Sequence, residues 1–146
     1  MATGSANSFK VFSALVGLTS LAIFVQAIVA GEFVSQKHRD GWINVHDIVA
    51  NVVAVLALAT MIFTIVALRK VSRALLVGTI VLLVLVVAQT FIGHQITDGS
   101  QDWLIGVHVP LAFIIFALAI WLPIQSVALR RAAERANSSG ATAPSH

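Results

Sequence analysis

The chain contains no cysteine. That excludes a disulfide framework, thiolate zinc sites, iron–sulfur clusters and covalently attached c-type haem. Charge is scarce as well. Asp, Glu, Lys and Arg make up 10% of the residues, against about 25% in a soluble domain. An ordinary soluble globule is excluded on that count. A hydrophobic share of 58% excludes a disordered chain. With 146 residues there is no room for a large multidomain enzyme. The net charge is +3 and the sequence pI about 10.2. In a soluble protein that balance would suggest a nucleic-acid partner, but here the placement of the charges points elsewhere.

A membrane-spanning helix needs about 20 predominantly apolar residues. Four stretches qualify: 11–30, 48–68, 74–93 and 103–129. None holds a charged side chain except at its margins. Asn51 is the main polar interruption of the second, and Pro110 and Pro123 lie inside the fourth. The predicted fold is therefore all-α and membrane-integral: an antiparallel, up-down bundle of four transmembrane helices. A short N-terminal segment (1–10) precedes it, and an Ala/Ser/Gly-rich tail (130–146) that reads as disordered follows it. The first apolar run is too long for the core of a signal peptide, and no clean small-residue cleavage site follows it, so it reads as a retained helix.

The basic residues sort by side. Lys10, Arg69, Lys70, Arg73, Arg130, Arg131 and Arg135 fall at one face, and Lys37 and Arg39 at the other. By the positive-inside rule both termini are expected in the cytoplasm. Glu32, Asp40, Asp47, Asp98 and Asp102 lie at the outer ends. The basic pI thus reports topology, with the lipid bilayer as partner and no nucleic acid. The expected location is the cytoplasmic membrane of a bacterium or archaeon. Trp42, Trp103 and Trp121 read first as interfacial belt residues, and the Gly and Ala of the first two helices as close-packing positions.

The outer ends carry an internal repeat. Gln26, Gly31, Asp40-Gly41-Trp42, Val45-His46 and Ala50 recur as Gln89, Gly93, Asp102-Trp103, Val107-His108 and Ala112. Gln26 to His46 is 20 positions and Gln89 to His108 is 19. Two repeated hairpins make the second and fourth helices parallel. In an up-down bundle those two helices occupy a diagonal. His46 and His108 then sit at one depth and face the same central space.

An ionisable residue inside a span is costly and marks a functional site by default. Two facing imidazoles suit the axial ligation of one low-spin haem b. Each histidine has alanine at i+4, Ala50 and Ala112, which leaves room for a flat ring against the helix. Pro110 lacks a backbone donor and would bend the fourth helix beside His108. Lys37 and Arg39, with His38 between them, are candidates for pairing with haem propionates. The plainer reading makes them solvated loop charges balanced by Glu32 and Asp40. His94 could replace one ligand or bond to a ligand from behind. It could equally be a wet loop histidine, as could His38. A four-histidine copper or zinc site is a further alternative, though it lacks carboxylate or thiolate partners. Gln26 and Gln89 are expected to bond across helices, with a quinone-binding role as the alternative.

These residues resemble one half of the haem A synthase family. The resemblance rests on the duplicated hairpin, the 62-residue separation of the histidines and the His-x-x-x-Ala pattern. The nearest local match runs from Ala88-Gln89-Thr90-Phe91-Ile92-Gly93 to Trp103-Leu104-Ile105-Gly106-Val107-His108. It spans roughly residues 9–125. That family has two four-helix halves, each with a histidine pair on its second and fourth helices. One half holds haem b and the other handles the haem being oxidised. The resemblance implies that His46 and His108 are haem ligands. It also marks departures. The family's catalytic half has a glutamate one turn before the first histidine, where this chain has Ile43; Asp47 replaces an arginine; the outer-loop cysteine pair is missing.

Three functions follow as expectations. The first is a small b-type cytochrome for electron transfer or haem handling. The second is a haem A synthase-like oxidase that recreates eight helices as a homodimer. The third is a cofactor-free accessory or assembly subunit of a respiratory complex. One haem near one face does not carry electrons across a bilayer about 30 Å thick, so the first reading calls for a homodimer or a larger respiratory-chain partner. A transporter is disfavoured, because no helix shows a broken centre or a charged midplane residue.

Overall fold

The computed structural model describes residues 2–35, 40–99 and 101–141. Those residues form four long helices: α1 (Ala2–Ser35), α2 (Asp40–Phe63, continued by a π-helical turn at Thr64–Leu68), α3 (Arg73–Thr97) and α4 (Ile105–Ala141, entered through a 3-10 turn at Asp102–Leu104). All four are long and apolar enough to cross a membrane. At 1.5 Å of rise per residue, the 29 residues of Asp40–Leu68 extend over roughly 43 Å, more than a bilayer core of about 30 Å requires.

Each helix is longer than the apolar stretch that announces it. The second begins at Asp40 rather than at 48, so His46 stands within the second turn and not at the entry. The fourth runs past 129 to Ala141 without interruption at Pro110 or Pro123. The segment expected to be a disordered tail is therefore helical through Ala141. Leu129, Arg130, Arg131, Ala132, Ala133, Glu134 and Arg135 are strong helix formers. Arg130 Nε and Glu134 Oε1 add an i,i+4 ion pair at 3.7 Å. Composition suggested a loose tail; local propensity overrode it.

The turn between α2 and α3 is tight. Val71 and Ser72 donate their amides to the Leu68 carbonyl at 2.9 and 3.0 Å. Ser72 then caps α3, its hydroxyl accepting the Leu75 amide at 3.2 Å. At the other end of α3 the Asp98 amide donates to the His94 carbonyl at 2.8 Å.

The helices pack in a ring: α1 on α2 and α4, α3 on α2 and α4. Among the described residues no Cα of α2 comes within 8 Å of a Cα of α4, nor one of α1 within 8 Å of α3. The second and fourth helices are thus diagonal partners. In lipid the helices gain little from burying apolar side chains, and packing with interhelical hydrogen bonds takes over. Hydroxyls supply those bonds. Ser20 Oγ reaches the Ala119 carbonyl at 3.0 Å, Ser13 and Ser126 hydroxyls meet at 3.1 Å, and Ser126 Oγ reaches the Phe9 carbonyl at 3.4 Å. Thr60 and Thr64 bond back to the carbonyls of Leu56 and Thr60, both at 2.7 Å, just before and within the π turn. Phe12, Leu75, Leu82, Leu122 and Ala119 are fully buried among them. Most of the other apolar side chains point outward, as Val55, Val66 and Phe113 do, and suit contact with lipid.

Candidate functional site

Burial is uneven along the bundle. On α2 the first buried residue is Val53; on α4 it is Ile115. Each lies seven positions, about two turns, beyond its histidine. Above them no residue of either helix is fully buried. The histidine end of the bundle is thus more open than the arginine end.

Both histidines lie near the starts of their helices. His46 is six residues after Asp40, where α2 starts, and His108 is six after Asp102, where the turn into α4 starts. Both side chains are half-buried. They stand on diagonal helices. Ala50 and Ala112, one turn deeper, are also half-buried.

Glutamines from the neighbouring helices reach both positions. Gln26 Nε2 on α1 donates to the backbone carbonyl of His46 at 2.9 Å. Gln89 Nε2 on α3 donates to the backbone carbonyl of His108, also at 2.9 Å. The expected cross-helix bonds of the two glutamines are present, and their target is the histidine residue itself. The carbonyl oxygen only accepts, so each carboxamide must turn its nitrogen toward it. That leaves Gln26 Oε1 and Gln89 Oε1 buried with no hydrogen-bond partner among the described residues. His108 Nδ1 is in the same condition. Buried polar atoms without partners are uncommon and call for an explanation.

Gly93 contributes by having no side chain. A Cβ there would stand 3.4 Å from Cε1 of His108, so α3 passes directly beside the imidazole. Gly31 has no such neighbour within 4 Å. Counting four residues from each glutamine gives Gly93 in one hairpin and Ala30 in the other. The alignment of Gly31 with Gly93 therefore misses the geometry by one residue.

His94 is exposed at the end of α3. It does not join His46 and His108: among the described residues no three or more His, Cys, Asp or Glu gather as a metal-binding group. Lys37, His38 and Arg39 lie outside the described residues. Trp103 is exposed and donates its indole N–H to Gln101 Oε1 at 2.9 Å. A shallow apolar depression beside Ile48, Asn51, Val52 and Val55 opens on another face of α2 from His46.

The donor set discriminates between cofactors. A bare zinc or copper ion needs three or four protein ligands, and the described residues do not assemble them. What the described residues offer instead is two half-buried imidazoles on diagonal helices. No family model, no curated protein and no solved structure matches this chain.

Proposed function

We propose that this chain is a multi-pass membrane protein of the b-type cytochrome kind, holding one haem through His46 and His108. The observation that carries the reading is the pairing of these histidines. They lie on diagonal helices near the helix starts, are half-buried, and each is anchored at its carbonyl by a glutamine of the adjacent helix. The two equivalent glutamine bonds also support reading the hairpins as a repeat, and with it the resemblance to one half of haem A synthase.

Within this reading each residue has a role. His46 and His108 would hold the haem, and Ala50, Ala112 and Gly93 keep bulk away from them. Lys37 and Arg39 remain the sequence's candidates for pairing with propionates. Haem, when bound, supplies a reversible one-electron store; the protein sets its ligands and its surroundings. The bundle stands with both termini on the cytoplasmic side and the histidine end outward, as the distribution of Lys and Arg favours. Ile43, where an oxidising member of the family would carry glutamate, favours electron transfer or haem handling over haem oxidation.

The test is a reduced-minus-oxidised visible spectrum of the protein purified in mild detergent, beside His46→Ala and His108→Ala. A sharp low-spin b-type spectrum in the wild type, lost in both variants, is expected. A wild type that stays colourless after haem is added refutes the reading and leaves a cofactor-free accessory subunit in its place.

A further inference from the structure

Three buried polar atoms near the His108 end remain unpaired by the bonds described above: Gln26 Oε1, Gln89 Oε1 and His108 Nδ1. Two of them belong to the pair of residues joined by the Gln89–His108 backbone bond. The Gln89 carboxamide is held at residue 108 by its own nitrogen, 2.9 Å from that residue's carbonyl. Its nitrogen is committed there, so its oxygen must find a donor close to the same residue. The oxygen is an acceptor without a donor. His108 Nδ1 becomes a donor when the ring carries its proton there. Leaving both unsatisfied carries the desolvation penalty of each group. Turning the imidazole so that they meet would remove both penalties together. Gly93 leaves α3 without a side chain beside the ring, so no Cβ obstructs the adjustment.

We propose that Gln89 is the residue that sets the tautomer of His108. Its Oε1 accepts the Nδ1–H of the imidazole while its Nε2 holds the backbone carbonyl of the same residue. The ring is then neutral with its lone pair on Nε2, so that nitrogen alone is available for a ligand. A histidine ligand is ordinarily oriented in this way, by a bond to its second nitrogen that fixes the tautomer and raises ligand basicity. Gln26, whose Nε2 holds the His46 carbonyl and whose Oε1 is likewise buried, occupies the matching place in the other hairpin. Gln89 is a positioning residue: it acts on whatever binds only through His108. The tautomer stands by itself; its consequence for haem rests on the reading above.

The experiment uses the full chain, labelled with ¹⁵N-histidine, in detergent without haem and at a pH where imidazole is neutral. Long-range proton–nitrogen couplings distinguish the two tautomers. Wild-type His108, assigned with His108→Ala, is expected in the Nδ1–H form, which a free histidine side chain disfavours. Gln89→Leu should return it to the Nε2–H form. Gln89→Glu keeps an accepting oxygen but loses the donor to the carbonyl, and should retain Nδ1–H. A purely structural clasp predicts that the Leu and Glu variants behave alike, and that result overturns the proposal. So does an Nε2–H ring in the wild type, which decides the matter even where Gln89→Leu fails to accumulate. Haem titration follows on the same samples. Gln89→Leu is expected to weaken binding about ten- to a hundredfold, with Gln89→Glu closer to wild type. A wild type with the expected tautomer but no haem spectrum refutes the haem reading and leaves the tautomer assignment standing.

Discussion

Gly78 offers a sharp test of how α3 and α4 meet. A methyl group on its Cα would stand 2.8 Å from Leu122 Cδ2 and 3.2 Å from Trp121 Cζ3. Leu122 is fully buried, so its terminal methyl has little space into which to retreat. Over-packing of this kind costs about 1–3 kcal/mol. In a water-soluble helix, replacing glycine with alanine would offset about 1 kcal/mol of that through helix propensity. Here the offset largely disappears. A denatured transmembrane segment in detergent or lipid keeps its helix, because its backbone groups have no water to bond to. Gly78→Ala is therefore expected to destabilise the bundle by about 1–3 kcal/mol. Gly17 is the internal control: nothing lies within 4 Å of a Cβ added there, so Gly17→Ala should be close to neutral. The assay is the loss of tertiary structure on titrating folded protein in mild detergent with a denaturing one. Leu122→Ala alone should cost about 2–5 kcal/mol by leaving a cavity. Combined with Gly78→Ala it should cost less than the sum, because the new methyl occupies part of the vacated space. Equal stability of Gly78→Ala and Gly17→Ala, or strict additivity with Leu122→Ala, would show that α3 and α4 do not approach each other at this point.

Other outcomes follow from the same contacts. Ser126→Ala removes the bonds to Ser13 and to the Phe9 carbonyl; at about 0.6 kcal/mol for an average interhelical bond, the denaturation midpoint should fall by roughly 1 kcal/mol in free energy. Glu134→Gln breaks an ion pair in which the glutamate is exposed and the arginine half-buried, so stability should change by less than about 1 kcal/mol, and a larger loss would mean that the helical extension packs on something. Gly93→Leu should displace the His108 ring, against which even a Cβ is already in contact; the expected result is a shifted or lost haem spectrum, whereas an unchanged one would place the ligand elsewhere. Because the chain has no cysteine, single cysteines report on sidedness directly. In intact cells an impermeant maleimide should label Gln101→Cys and spare Lys70→Cys; the reverse pattern would invert the proposed orientation.

Sequence alone determined the membrane character and the number of helices. A span must be apolar over about 20 residues, and that requirement is written continuously along the chain. His46 and His108 stood out for a related reason: ionisable groups are conspicuous where nearly everything is apolar. The helix ends were not legible. Hydropathy marks where lipid begins, not where backbone hydrogen bonding stops, so α2 starts at Asp40 and α4 continues to Ala141 although the apolar runs cover only 48–68 and 103–129. The glutamines were visible as polar residues needing a partner. That each would take the carbonyl of a histidine 20 or 19 positions away was decided by the packing of α1 on α2 and α3 on α4. Gly93 stood out only as a repeated glycine, and the tertiary structure made it the place where a helix passes an imidazole. Composition and periodicity fix what must leave water; only the arrangement of four helices around a common axis fixes which polar atoms then meet.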